Sequence, residues 1–171
     1  MKWIIILILT FLSALAKQSV VNVESIIKEN YKDSVTVQRG KIILSKDELL
    51  KVKKIAKLPV KSKLYRYYEV KKRDEIVAYA ILISQKVRTK KATVLYFIED
   101  ESIKFIEILA FLEPHEYIPK ETWMKQFDDK NITDTFKVGK DIPTISGATL
   151  SARTITDSAR LAIAIYKIKL K

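Results

Sequence analysis

The chain has no cysteine, a single histidine at position 115 and only three glycines. Without a thiol there is no disulfide framework, no cysteine-ligated zinc or iron-sulfur centre, no thiol nucleophile and no Cys-x-x-Cys-His haem attachment. Gly40, Gly139 and Gly147 are too scattered to build a dinucleotide fingerprint or a P-loop, both of which need clustered glycines so that backbone can approach phosphate. A metal at His115 would have only carboxylates such as Glu113 and Glu116 as further ligands, and a lone loop histidine is more simply a surface residue. Redox or group-transfer chemistry therefore has to sit on a bound cofactor. The chain is rich in charge and apolar residues: 32 Lys and Arg stand against 20 Asp and Glu, a net +12, and 48% of its 171 residues are hydrophobic. That is enough to bury the core of one ordinary domain.

The first 16 residues read as a secretory signal. Lys2 is a positive start, Trp3 to Leu12 are apolar except for Thr10, and Ala14-Leu15-Ala16 fits the small-x-small cleavage pattern. The apolar stretch is shorter than the roughly 20 residues of a membrane-spanning helix, which makes an uncleaved anchor the secondary reading. The expected organisation is thus a signal over 1–16 and one domain over 17–171, in a periplasmic or other extracytoplasmic location.

The pattern over the domain predicts an α+β fold. Val23 to Lys32 has helical spacing; Val35 to Leu44 is strand-like, with a bend expected at Gly40. Ser45 and Glu48 form a capping box that starts a helix at Lys46, expected to bury Leu49, Leu50, Val52, Ile55 and Ala56 and to stop before Pro59. Runs of β-branched and aromatic residues at Leu64 to Val70, Ile76 to Ser84, Thr93 to Ile98 and Ile103 to Leu112 are joined by short charged segments. Short connections favour antiparallel neighbours, so these strands predict a meander. A short helix is expected over Glu121 to Phe127, and a long closing helix carries Ala152, Ile155, Ala159, Ala162, Ile163 and Tyr166 on its apolar side. Helices at the two ends of an antiparallel sheet define the α+β class.

Chemistry is concentrated between Asp141 and Arg160. Gly147 permits a positive φ and Ala148 adds little bulk, so a phosphate can approach Thr149 closely. A helix beginning near Leu150 would turn its unpaired amides and positive dipole end toward such a phosphate, with Arg153 one turn on and Ser146, Ser151 and Thr154 as hydroxyl donors. The bland reading of the same tetrapeptide is a small-residue turn that caps a helix.

The Ser146-Gly147-Ala148-Thr149 segment resembles the flavinylation motif of the FMN-binding domain family, which includes the periplasmic flavin subunits of Rnf-type and sodium-translocating NADH:quinone oxidoreductase complexes. Upstream, Leu112-Glu113-Pro114-His115-Glu116 followed by Trp123, Gln126, Phe127, Asp128 and Lys130 is similar to the family's glutamate-proline loop and aromatic-Gln-Phe element. The chain has Pro143 where many members are acidic, with Asp141 two places earlier. The resemblance implies FMN joined through a phosphoester to Thr149 by an FAD-dependent flavin transferase, and electron transfer between membrane or periplasmic redox proteins. It implies a cofactor site of Thr149, Ser146, Gly147, Ala148, Ser151, Arg153, Thr154 and Glu113, with Tyr117 and Trp123 flanking the ring. Such a protein is an electron-transfer component rather than a stand-alone enzyme, because the flavin brings the redox chemistry.

Two other readings stay open: a non-covalent flavin or sensory module, and a basic module for anionic partners. Nucleic acid is disfavoured by the export signal and by the lack of a recognisable binding motif. The tyrosines at 65, 67 and 68 read as sheet packing, Arg88, Lys90 and Lys91 as a solvated turn, and the lysines at 167, 169 and 171 as partners of a helix C-terminus that also suit a membrane surface.

Overall fold

A computed structural model describes residues 22–32 and 34–171; the secretory signal expected over 1–16 lies outside them. The chain runs α1 (Val23–Asn30), β1 (Thr36–Ile43), α2 (Lys46–Ala56), β2 (Leu64–Lys72), β3 (Glu75–Lys86), β4 (Lys91–Glu99) and β5 (Ser102–Phe111), then α3 (Glu121–Met124) and α4 (Thr149–Lys169). The five strands form one antiparallel meander in sequential order, giving an α+β domain. No helix among the described residues is long and apolar enough to cross a membrane.

Alternation along the strands sends side chains to two faces. Ile42, Tyr65, Ile81, Ile83, Val94, Tyr96 and Ile98 enter the larger core under α2 and α4. Tyr68, Val70, Ala80, Leu95 and Phe97 enter a smaller core on the other face, where Ile27 of α1 packs. Helix α4 is buried on several sides, through Ala152, Ile155, Ala159, Leu161, Ala162 and Ile165, because it lies against both α2 and the sheet. Its alanines allow that close approach. Tyr96 is fully buried and donates from its hydroxyl to the Ile155 carbonyl at 3.0 Å, fixing α4 to the middle of β4.

Two expectations are corrected. Gly40 does not bend β1: it sits opposite Tyr67 in an unbroken register, and a Cβ there would lie 2.3 Å from a Tyr67 ring carbon. The glycine makes room for a cross-strand aromatic ring. Leu50, expected in the core, is 63% exposed because α2 turns Val52 and Ala56 inward and leaves position 50 on its outer side. The capping box at Ser45 and Glu48 is formed with both hydrogen bonds.

The scarcity of glycine shows in the turns. The β2–β3 and β4–β5 hairpins have two-residue loops, Arg73-Asp74 and Asp100-Glu101, with positive φ at all four residues. This is the backbone of a type I′ turn, which favours Asn-Gly because L side chains resist the left-handed region. Replacing Arg73-Asp74 with Asn-Gly is expected to stabilise the fold by about 1 kcal/mol, the relief of turn strain less the added unfolded-chain entropy of glycine. Urea unfolding at constant m-value checks it; an unchanged or lowered midpoint rejects the turn argument.

Candidate functional site

The tip of the β3–β4 hairpin, the loop after β5 and the start of α4 meet at one end of the sheet. Register does this: Lys86 pairs with Lys91 at the hairpin mouth, Ala92 pairs with Phe111, and the Leu112 amide donates to the Lys91 carbonyl at 3.0 Å. The chain leaving β5 is thereby held beside residues 87–90. Between them and α4 lies a pocket of about 220 Å³ lined by Val87, Arg88, Glu113, Tyr117 and the backbone run Gly147 to Ser151. A shallower concavity of about 550 Å³ continues outward past Arg88, Tyr117, Leu112 and Pro114. Leu112 and Leu150 are 60% and 45% exposed, so the rim is apolar.

The pocket gathers Glu113, Tyr117, Gly147, Ala148, Thr149 and Ser151 from the sequence-nominated set. Gly147 has φ +78° with nothing within 4 Å of where a Cβ would stand, so the demand on this glycine is conformational and the space over it is open. Thr149 is the first residue of α4. Asn22 caps α1 and Ser45 caps α2 through side-chain oxygens, but Ala148, at the N-cap of α4, brings no acceptor. The tetrapeptide is a small-residue turn that leads into α4, as the helix-start reading expects, but no side chain caps the helix: Ser146 is exposed and makes no cap bond. The amide end and positive dipole of α4 face the pocket instead.

Four nominated residues lie outside the pocket lining. Ser146 and Arg153 are exposed beside it, Arg153 one turn along on the Thr149 side of the helix, and Thr154 is half-buried. Trp123 is placed elsewhere: its ring packs edge-on against Phe127 at 5.3 Å and its indole nitrogen donates to the Pro143 carbonyl at 2.9 Å. An indole N–H seeks an acceptor, and here that bond anchors the segment entering the motif. Asp141 is likewise structural, accepting from the amides of Phe136 and Lys137 with Lys130 3.8 Å away.

Glu113 does something its sequence context did not show. Its carboxylate is nearly buried and accepts from the amides of Arg88, Thr89 and Lys90 at 3.0, 2.6 and 2.7 Å and from the Thr89 hydroxyl. These bonds, the Lys90 amide foremost, hold its pKa down at about 2. The side chain is spent on the hairpin and positions Arg88, which the sequence presented only as a solvated turn residue. Only the strand register, a long-range feature, links the hairpin to the loop.

Because the folded pKa of Glu113 is depressed from 4.5, its contribution to stability is fully present above about pH 4.5 and is lost as pH falls toward 2. Glu113→Gln is therefore expected to be less stable than the parent at pH 6, with the difference shrinking to near zero at about pH 2. Denaturant midpoints across that range test it. A difference that stays constant with pH would mean the carboxylate's charge is not what holds the hairpin.

Comparison with protein-family models, characterised proteins and solved structures finds no match to this chain.

Proposed function

We propose that this chain is an exported flavoprotein that carries FMN as a phosphoester on Thr149 and serves electron transfer between redox partners. The observation that carries the reading is the convergence of the glutamate-proline loop and the Gly147–Ser151 run, two segments that resemble the FMN-binding family separately in sequence, on a single pocket. The residues suit the group. An uncapped helix start offers amides to a phosphate, the side chain of Arg88 adds positive charge opposite, and Tyr117, Leu112, Pro114 and Leu150 provide ring-sized aromatic and apolar surface. FMN, when bound, supplies the redox chemistry. The protein's part is to hold the phosphate at the end of α4, to keep the ring against Tyr117 and to set the local field with Arg88 and Arg153.

The test is co-production with an FAD-dependent flavin transferase, followed by intact-mass measurement of the exported chain. A gain equal to FMN less one water supports the reading, as does yellow fluorescence that survives denaturing electrophoresis. No gain under conditions that modify a known family member overturns covalent attachment, and a colourless native protein overturns the flavin reading altogether.

A further inference from the structure

The smaller core covers only one end of its sheet face. Helix α1 packs over Tyr68, Val70, Ala78 and Phe97, and no element roofs the other end among the described residues. Opposed pairs share a face, so Lys41 and Arg66 stand together there, next to Ile43 and Leu64. The side chains on either side of them along the strands, Ile42 and Tyr65, point into the larger core. Ile43 and Leu64 are 69% and 58% exposed, an apolar cross-strand pair directed at solvent. The same face continues across Leu82, opposite Arg66, to Ser84 and Thr93, whose hydroxyls bond at 3.1 Å, and ends at the paired Lys86 and Lys91.

We infer that this bare end of the sheet docks the protein on an anionic phospholipid bilayer. The argument is charge complementarity around an apolar centre. The chain at this end of β1 and β2 carries Lys41, Lys61, Lys63 and Arg66 and no acidic residue, while the lysines of α2 lie over the opposite face. On the bare face, Lys41 and Arg66 lie in the row beside Ile43 and Leu64, with Leu82 next to Arg66 and Lys86 and Lys91 at the hairpin end. A carboxylate on the same face, Glu107 of β5, lies opposite Leu95 and is separated from Lys41 and Arg66 by β3 and β4. A concavity of about 560 Å³ beside them adds Lys61 and Ser62. Basic groups meet lipid phosphates while the aliphatic pair enters the interface, the combination by which peripheral surfaces bind anionic membranes. An exposed apolar pair beside basic groups also fits an acidic protein, so failure to bind phosphatidylglycerol vesicles would overturn the lipid assignment in favour of such a partner. The patch lies at the end of the sheet that bears the β3–β4 hairpin, so docking sets the Thr149 pocket close to the bilayer. The inference stands whether or not the pocket holds flavin.

The absence of cysteine makes the test direct. In the full chain, Ser84→Cys carries an environment-sensitive fluorophore on the bare face, and Thr135→Cys carries it on the α2 and α4 side. With phosphatidylglycerol vesicles, the label at 84 is expected to shift blue and become shielded from iodide, the label at 135 to stay quenchable, and phosphatidylcholine vesicles to do neither. Lys41→Glu with Arg66→Glu should lower the vesicle-bound fraction at least about tenfold. Protein that sediments with vesicles while the label at 84 stays open to iodide overturns the inference, because the apolar amino terminus would then be the contact. A blue shift that grows with protein concentration in the absence of lipid also overturns it and assigns the face to a second copy of the chain.

Discussion

Thr149→Ala is expected to abolish the FMN mass gain completely while leaving the fold intact. Thr149 opens α4 and is half-buried at the pocket, and alanine is at least as good a helix former, so circular dichroism and the unfolding midpoint should stay near the parent values. Only the hydroxyl is lost, and a phosphoester cannot form without it. Thr149→Ser keeps the hydroxyl at the same backbone position and should keep the modification. Ser146 and Ser151 are the neighbouring hydroxyls that compete with Thr149 for the role of acceptor. Ser146 is exposed outside the pocket lining, and Ser151 lines the pocket but is only 1% exposed. Alanine at either should leave the mass gain in place. A gain that persists in Thr149→Ala and disappears in Ser146→Ala would move the attachment by three residues. Loss in all three variants, with the parent modified, would mean that the substitutions disturb recognition by the transferase rather than remove the acceptor.

The sheet and the two long helices were legible in the sequence because each has a strong local signal. Alternating β-branched runs between short charged segments predict the meander, the Ser45 and Glu48 pair starts α2 where expected, and small apolar residues at helical spacing describe α4. Even there, boundaries drift, since β3 runs to Lys86 through residues that look like loop. Gly40 misled because a glycine that admits a neighbouring ring and a glycine that bends a strand look alike until the register with Tyr67 is known. Half of the pocket was readable for the same reason as α4: Gly147 to Ser151 lie in one short stretch. The opposite wall was legible only in part, since Glu113 and Tyr117 were named from the sequence but Val87 and Arg88 were not. Arg88 and Val87 reach Thr149 only through strand pairing and the Glu113 clamp, contacts that span 24 residues and leave no local pattern. Trp123 looked like a ring-stacking residue by type, yet its neighbours in space, Phe127 and Pro143, make it a structural anchor.

Phe127→Ala is expected to cost about 3–5 kcal/mol, against a total stability of roughly 5–15 kcal/mol for a domain of this kind. The segment from Leu112 to Ala148 has little regular structure, so a few buried side chains hold it to the rest of the fold. Phe127, Phe136 and Ile142 are the three most buried of them, each at most 2% exposed. Phe127 is central: its ring meets Trp123 at 5.3 Å and Phe136 at 6.4 Å, and the chain immediately after it bonds to β5 through Asp129 to the Ile103 carbonyl at 2.7 Å and Ile103 to the Lys130 carbonyl at 2.8 Å. Truncating the ring leaves a cavity next to those bonds, and backbone fixed to the strand on one side has little freedom to collapse into it. Phe127→Leu retains most of the apolar volume and should recover more than half of the loss. In a chain beginning at Lys17, Trp123 is the single tryptophan, so its fluorescence reports this cluster during denaturant unfolding. If Phe127→Ala lowers stability by less than about 1 kcal/mol at unchanged m-value, the segment is held by its backbone bonds to β5 and not by its aromatic cluster. If it lowers stability as expected, the Pro143 carbonyl loses a firmly held indole partner, and disorder is predicted to spread from there to Gly147 and Thr149. The covalent modification would then fall in Phe127→Ala and return in Phe127→Leu, although position 127 lies outside the pocket lining.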